Sequence, residues 1–153
     1  MYKRILVPVD GSPTSNLGLE EAITLAKDHG AEILLVHVVN EWALVSPDAS
    51  GANLGDVAAG MRESGDRLLD EAESRVRRNG VTAKSVLIEE IGTPVAPRIL
   101  QQALEWPADL IVCGTHGRHG VRRLVMGSDA EYLVRHTPVP ILLVRSPERS
   151  ADS

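Results

Sequence analysis

Residues 109–128 read Asp-Leu-Ile-Val-Cys-Gly-Thr-His-Gly-Arg-His-Gly-Val-Arg-Arg-Leu-Val-Met-Gly-Ser, and this stretch decides the fold. It opens with an apolar run of strand length, 109–113, and closes where an amphipathic helical pattern begins at Ser128. Between them stand Gly114, Gly117 and Gly127. Glycine lets backbone approach a ligand closely and adopt positive φ. The helix start beyond offers unpaired N–H groups and the positive end of a dipole. Segment 110–128 contains no Asp or Glu but carries Arg118, Arg122 and Arg123. In a chain of net charge −5, an anion such as a polyphosphate would settle there.

Four more aliphatic runs flank this unit. Residues 3–9 and 32–39 are near-continuous apolar segments, as expected of strands buried on both faces. Residues 84–90 are more polar and read as an edge strand, and 139–145 reads as the last strand. Helical spacing covers 15–28, where Leu19, Ala22, Ile23 and Ala26 recur and Gly30 supplies the stop. A longer helix covers 57–79, with Met61, Leu68, Leu69, Ala72 and Val76 on one face. A third covers 94–105, with Thr93 as N-cap and Pro94 at the first helical position. The fourth, 128–136, ends before Thr137-Pro138.

The order is strand–helix repeated four times and closed by a fifth strand. It predicts an α/β fold, one open five-stranded parallel sheet with right-handed crossovers and helices on both faces. Residues 40–56 are the long irregular connection. The domain is expected to span 1–146, with 147–153 a flexible tail.

Hydrophobic content of 43% and charged content of 24% suit a soluble globular chain. The acidic balance argues against nucleic acid as a partner, and no apolar window is long enough for membrane insertion. The N-terminal segment does not read as a signal peptide. A single cysteine, Cys113, excludes an intrachain disulfide and points to a reducing, cytoplasmic setting. With no Phe, two Tyr and two Trp, aromatic stacking on single strands is not expected.

Open parallel sheets bind ligands at the carboxyl ends of strands, where the strand order reverses. With strand order 3-2-1-4-5 that crevice lies between strands one and four. There Pro8-Val9-Asp10-Gly11-Ser12 would meet the run that starts at Gly114. The run is neither a Walker loop nor a dinucleotide G-x-G-x-x-G fingerprint. Its spacing is glycine, two residues, glycine, nine residues, Gly-Ser.

That spacing, with the Val-Pro-Val-Asp-Gly-Ser start and the Val-Pro-Ile-Leu-Leu-Val end, closely resembles the universal stress protein family, in particular its ATP-binding members. The resemblance covers essentially the whole chain. It implies a fold of the adenine nucleotide α-hydrolase-like class, binding of ATP with Mg²⁺, and a homodimer formed through the terminal strand 139–145. Asp10 would hold ribose or the metal bound to the phosphates, beside Pro8 and Val9. Val38 would meet adenine through its backbone. Gly114, Gly117, Gly127 and Ser128 would cradle ribose and phosphates, with Thr115, His116, Arg118, His119 and Gly120 lining the same loop. Asp129 and Ala130 would add N–H contacts from the helix start. Cys113 departs from the bulky apolar residue frequent at its position.

Plainer readings stand beside these. Asp10 could cap the first helix or its turn. Arg122 and Arg123 read as solvated surface charges. His37 reads as a hydrogen-bonded core residue, Cys113 as a small buried hydrophobe, and Ser128 as a helix cap.

The leading functional reading is a regulatory ATP-binding stress-response module with an unidentified protein partner, acting through differential affinity of two states rather than turnover. The alternative is a slow ATPase or a phosphoryl or nucleotidyl transferase. A phospho-receiver domain lacks its acidic cluster here, because Asp10 stands alone and strand three ends in Glu89-Glu90. A flavin protein lacks aromatic residues to stack on the ring.

Overall fold

A computed structural model describes residues 1–39, 54–89, 93–115 and 127–147. The elements in chain order are β1 (Arg4–Pro8), α1 (Pro13–His29), β2 (Glu32–Val39), α2 (Leu54–Arg78) and β3 (Ala83–Glu89). They continue with α3 (Val95–Glu105), β4 (Leu110–Gly114), α4 (Ser128–His136) and β5 (Ile141–Val144). The sheet order is β3-β2-β1-β4-β5, and every pairing is parallel. The order expected from sequence is the order found. β1 sits at the centre because its run Ile5-Leu6-Val7 has no polar side chain to show water on either face.

Alternation along the strands divides the interior in two. Ile5, Val7, Ile33, Leu35, Leu110 and Val112 face one core, filled by Leu19, Ala22, Ile23 and Ala26 of α1 and by Leu69, Ala72 and Val76 of α2. Leu6, Leu34, Val36, Ile111 and Cys113 face the other, filled by Ala96, Ile99, Leu100 and Ala103 of α3 and by Leu133 of α4. The period-2 pattern of a strand thus feeds two helical layers from the same residues. Asp109 locks β4 beside β1 at their amino ends, where its carboxylate accepts the amides of Lys3 at 2.8 Å and Arg4 at 3.1 Å.

Several boundaries differ from the sequence reading. α1 begins at Pro13 rather than residue 15, because Ser12 is its N-cap and accepts the Ser15 amide. α2 begins at Leu54 rather than residue 57; residues 40–53 of the connection expected over 40–56 lie outside the described residues. Thr93 does not cap α3; Pro94 is the N-cap, with no side-chain hydrogen bond, and Val95 is the first helical residue. Among the described residues, positive φ occurs at Gly11 (80°), Gly30 (66°) and Gly80 (78°). Gly30 ends α1 as expected, in the left-handed region with its N–H donating to the Ala26 carbonyl. No described helix is long and apolar enough to cross a membrane.

Candidate functional site

β1 and β4 are neighbours, and their helices leave to opposite faces, so a crevice opens beyond their carboxyl ends. The turn from β1 into α1 forms one wall and is closed by its own groups. Val9 N–H donates to the Val36 carbonyl at 2.9 Å, extending the sheet by one residue. Asp10 accepts the Ser12 amide at 2.8 Å, an Asx turn, and Asp10 N–H donates to Ser15 Oγ at 3.1 Å. Ser12 Oγ accepts the Ser15 amide at 3.2 Å. Gly11 bridges these with φ of 80°, which a side chain would strain. Asp10 therefore does hold its turn, as the plainer reading had it, and it also stands at the crevice.

The second wall is the end of β4 and the start of α4. Gly114 pairs with Val144 as the last residue of β4. A Cβ at Gly114 would lie 2.7 Å from the Thr14 carbonyl carbon and oxygen, so the glycine lets the first turn of α1 sit on β4. Gly18, on α1, faces the Gly114 amide from the same side. At this position the missing side chain serves helix packing.

Thr115 continues the strand: its N–H donates to the Val144 carbonyl at 3.1 Å and its carbonyl accepts the Gly127 amide at 2.9 Å. These bonds bring the two ends of the glycine-rich segment together. The Thr115 hydroxyl is buried and has no hydrogen-bond partner among the described residues. Gly127 is the N-cap of α4 with no side-chain cap bond, and its φ is −56°. Ser128 is therefore the first helical residue and not the cap, a correction to the sequence reading. Neither Gly114 nor Gly127 uses positive φ, so the conformational argument made for these glycines does not apply.

The amides at the start of α4 are thus left without the side-chain acceptor that Ser12 gives α1. Ala130 is buried, whereas Ser128 and Asp129 are exposed. Asp129 is exposed as a residue, yet its carboxyl is partly desolvated. Burial first, and repulsion from Asp10 second, hold it above the usual carboxylate range. That repulsion ties the two walls electrostatically. The charge of Asp129, and not only its N–H, thus bears on the site.

The remaining expected residues fall as follows. Pro8 ends β1 and Val9 is buried beneath the turn. Val38 is half-buried near the end of β2, the strand next to β1. Cys113 is buried in the lower core, and burial pushes its thiol up to about 12, so it is an inert apolar residue. His37 is a hydrogen-bonded core residue. His116, Gly117, Arg118, His119 and Gly120 lie outside the described residues, as do Arg122 and Arg123. Among the described residues no cluster of three His, Cys, Asp or Glu side chains could hold a metal by itself. The signal that sequence reasoning passed over was Ser12-Pro13, the pairing of a cap residue with proline at the first helical position.

Known proteins share this sequence and fold. A universal stress protein of Methanocaldococcus jannaschii is 32% identical over 149 residues, covering 97% of this chain and 85% of its own. A solved structure from the same family in Burkholderia pseudomallei is 34% identical, with a TM-score of 0.75 over 95% of this chain and 97% of that one. Two further solved structures share the fold at 22% and 21% identity and TM-scores of 0.65 and 0.66. They cover 94% of this chain each and 97% and 98% of their own, one holding cAMP and the other, from Archaeoglobus fulgidus, holding dAMP. The universal stress protein family itself matches residues 1–145, the whole span from β1 through β5. With the sheet order, the crevice and the sequence match in agreement over that span, the chain belongs to the universal stress protein family.

Proposed function

We propose that the crevice between β1 and β4 binds an adenine nucleotide, ATP with Mg²⁺, and that occupancy regulates the protein in the cytoplasm. The observation that carries this reading is the contrast between two helix starts. α1 is capped by Ser12, whereas the N-cap of α4 makes no side-chain cap bond, beside a buried hydroxyl, Thr115, that has no partner among the described residues. A buried polar group left unpaired costs about 1–3 kcal/mol, so its persistence fits a ligand that completes it. The α4 amides would meet phosphate, aided by the helix dipole. Val38 would meet the base through its backbone, Pro8 and Val9 would shape the turn beside Asp10, and Gly114, Thr115, Gly127, Ser128, Asp129 and Ala130 would line the phosphate end. Gly117 would join that cradle, with His116, Arg118, His119 and Gly120 beside it in sequence.

The residues fit Mg²⁺ in a particular way. The ion keeps several waters and takes one or two carboxylates plus phosphate oxygens. Asp10 can supply one carboxylate, with Asp129 close enough to feel its charge. Bound Mg²⁺ would neutralise phosphate charge that these two carboxylates would otherwise repel.

The four residues of β5, Ile141–Val144, are all apolar and each only partly buried, at the edge of the sheet. An apolar edge strand invites pairing with another chain. We assign that edge to a homodimer contact, in line with the family resemblance; a protein that reads the occupied state would be a separate partner. Regulation needs differential affinity of two states for the nucleotide, not turnover.

Calorimetry with ATP, ADP, AMP, cAMP and dAMP, each with and without Mg²⁺, tests the reading. ATP with Mg²⁺ should bind most tightly. No heat with any nucleotide at millimolar excess would overturn nucleotide binding. Preference for the monophosphates would overturn the ATP assignment alone. Turnover of ATP above about 1 s⁻¹, as typical enzymes reach, would replace regulation with catalysis.

A further inference from the structure

His37 is a buried titratable side chain to which the nucleotide reading gives no task. It lies on β2, and its Nδ1 is 2.7 Å from the Val9 carbonyl, 28 residues away in sequence. A carbonyl can only accept, so Nδ1 carries the proton and donates it to Val9. Val9 is the last residue before the Asp10–Ser12 turn, and Val38, expected to face adenine, is the next residue after His37.

The far edge of the ring rests on α2. A Cβ at Gly65 would lie 2.9 Å from His37 Cδ2, 3.5 Å from Nε2 and 2.8 Å from Leu87 Cδ1. Gly65 sits well inside a 25-residue helix, where glycine is unfavourable by about 1 kcal/mol relative to alanine. The ring and Leu87 together account for that glycine. One helical turn further, Leu68 lies against Gly11 of the turn, 3.0 Å from where a Cβ would stand. The turn is therefore held from two directions. Ser12 and Ser15 tie it to α1, while His37, seated on Gly65, ties it to β2 and α2.

We propose that His37 is a positioning residue for the nucleotide crevice. Its Nδ1–H fixes the Val9 carbonyl, and Gly65 is glycine to make room for the ring, so that Asp10 is presented at a set height beside Val38. The inference rests on the reading that this crevice binds nucleotide, and its test separates the two.

The test compares H37L, which removes the donor, with H37N, whose amide N–H stands at the same branch point as Nδ1. It adds G65A and the H37N/G65A pair. Two readouts are taken on the full chain: amide exchange of Asp10 and Ser12 without ligand, and ATP affinity with Mg²⁺. H37L should speed exchange of both amides at least tenfold and weaken ATP at least fivefold, whereas H37N should restore most of both. G65A should behave like H37L in the native background but cost less in the H37N background, where the ring is gone and only the Leu87 methyl still stands against the new Cβ; an equal cost in both backgrounds would overturn the assignment of Gly65 to the ring.

A merely structural histidine would give equal losses of stability in H37N and H37L with no rescue of affinity. That outcome, or exchange and affinity within twofold of native in H37L, overturns the proposal. If the native protein binds no adenine nucleotide, the functional reading fails, and the exchange arm still decides whether His37 holds the turn.

Discussion

The first turns of α1 and α4 open at the same end of the sheet, yet they are finished in opposite ways. α1 is sealed: Ser12 caps it, Asp10 braces the turn that leads in, and Gly114 lets it rest on β4. α4 follows Gly127 with no side-chain cap, beside a buried hydroxyl that no described residue satisfies. Both helices carry the same dipole and the same orphan amides by geometry. What differs is whether the sequence satisfies them itself. A helix start completed from within is scaffold, and on the proposed reading the one left without a side-chain cap is where a guest anion would sit.

Substitutions can break that comparison, and the largest effect is expected at Gly114. G114A places a Cβ 2.7 Å from the Thr14 backbone, which cannot swing aside, and should cost about 1–3 kcal/mol by denaturant unfolding. A loss below a few tenths would mean that α1 does not seat there. G127A supplies the contrast. With φ of −56° alanine fits the backbone, so stability should stay within about 0.5 kcal/mol while ATP affinity falls.

Next come the two serines. S12A removes a cap and should cost about 1 kcal/mol, while S128A removes none and should change stability by less than about 0.5 kcal/mol. Equal losses from the two would erase the distinction between the helix starts. T115V swaps a buried hydroxyl, unpaired among the described residues, for a methyl of similar shape. Without ligand it should stabilise the protein by about 1 kcal/mol, and it should weaken nucleotide binding. A destabilised T115V would show that the hydroxyl is already satisfied.

The smallest expected effect concerns Asp129. Its folded-state pKa is raised, by desolvation first and by Asp10 second. The native state therefore holds this proton to higher pH than the unfolded chain does. The relative stability this gives is fully present below the unfolded value and is lost as pH rises through the folded one. Subtracting the stability of D129N from that of the native protein across this window should give a difference that declines with rising pH. A difference that grew with pH would mean that the helix dipole outweighs the repulsion. D129N should also tighten ATP binding without Mg²⁺ by about fivefold, the factor given by roughly 1 kcal/mol between unit charges 4 Å apart in water.

The sheet was legible because strand burial leaves a signal that composition alone carries. Ile5-Leu6-Val7 and Ile33-Leu34-Leu35-Val36 are apolar on both faces, and no other arrangement hides both. The polar character of 84–90 marked β3 as an edge, which it is. Helix starts were less legible. Thr93 and Ser128 have the chemistry of caps, but capping depends on backbone angles set by what precedes the helix. Ser12 had that chemistry and the geometry. The glycines misled in one respect, since Gly114 is required by the helix lying on it rather than by its own φ.

By itself, then, the sequence determined the order of the elements and the parallel sheet, because hydrophobic periodicity and strand connection are local properties of the chain. The tertiary structure alone decided which helix start is sealed, why Gly65 and Gly114 lack side chains, and that Asp129 stands near enough to Asp10 to feel its charge. Those are matters of distance between residues far apart in the chain, and a linear pattern carries no record of such distances.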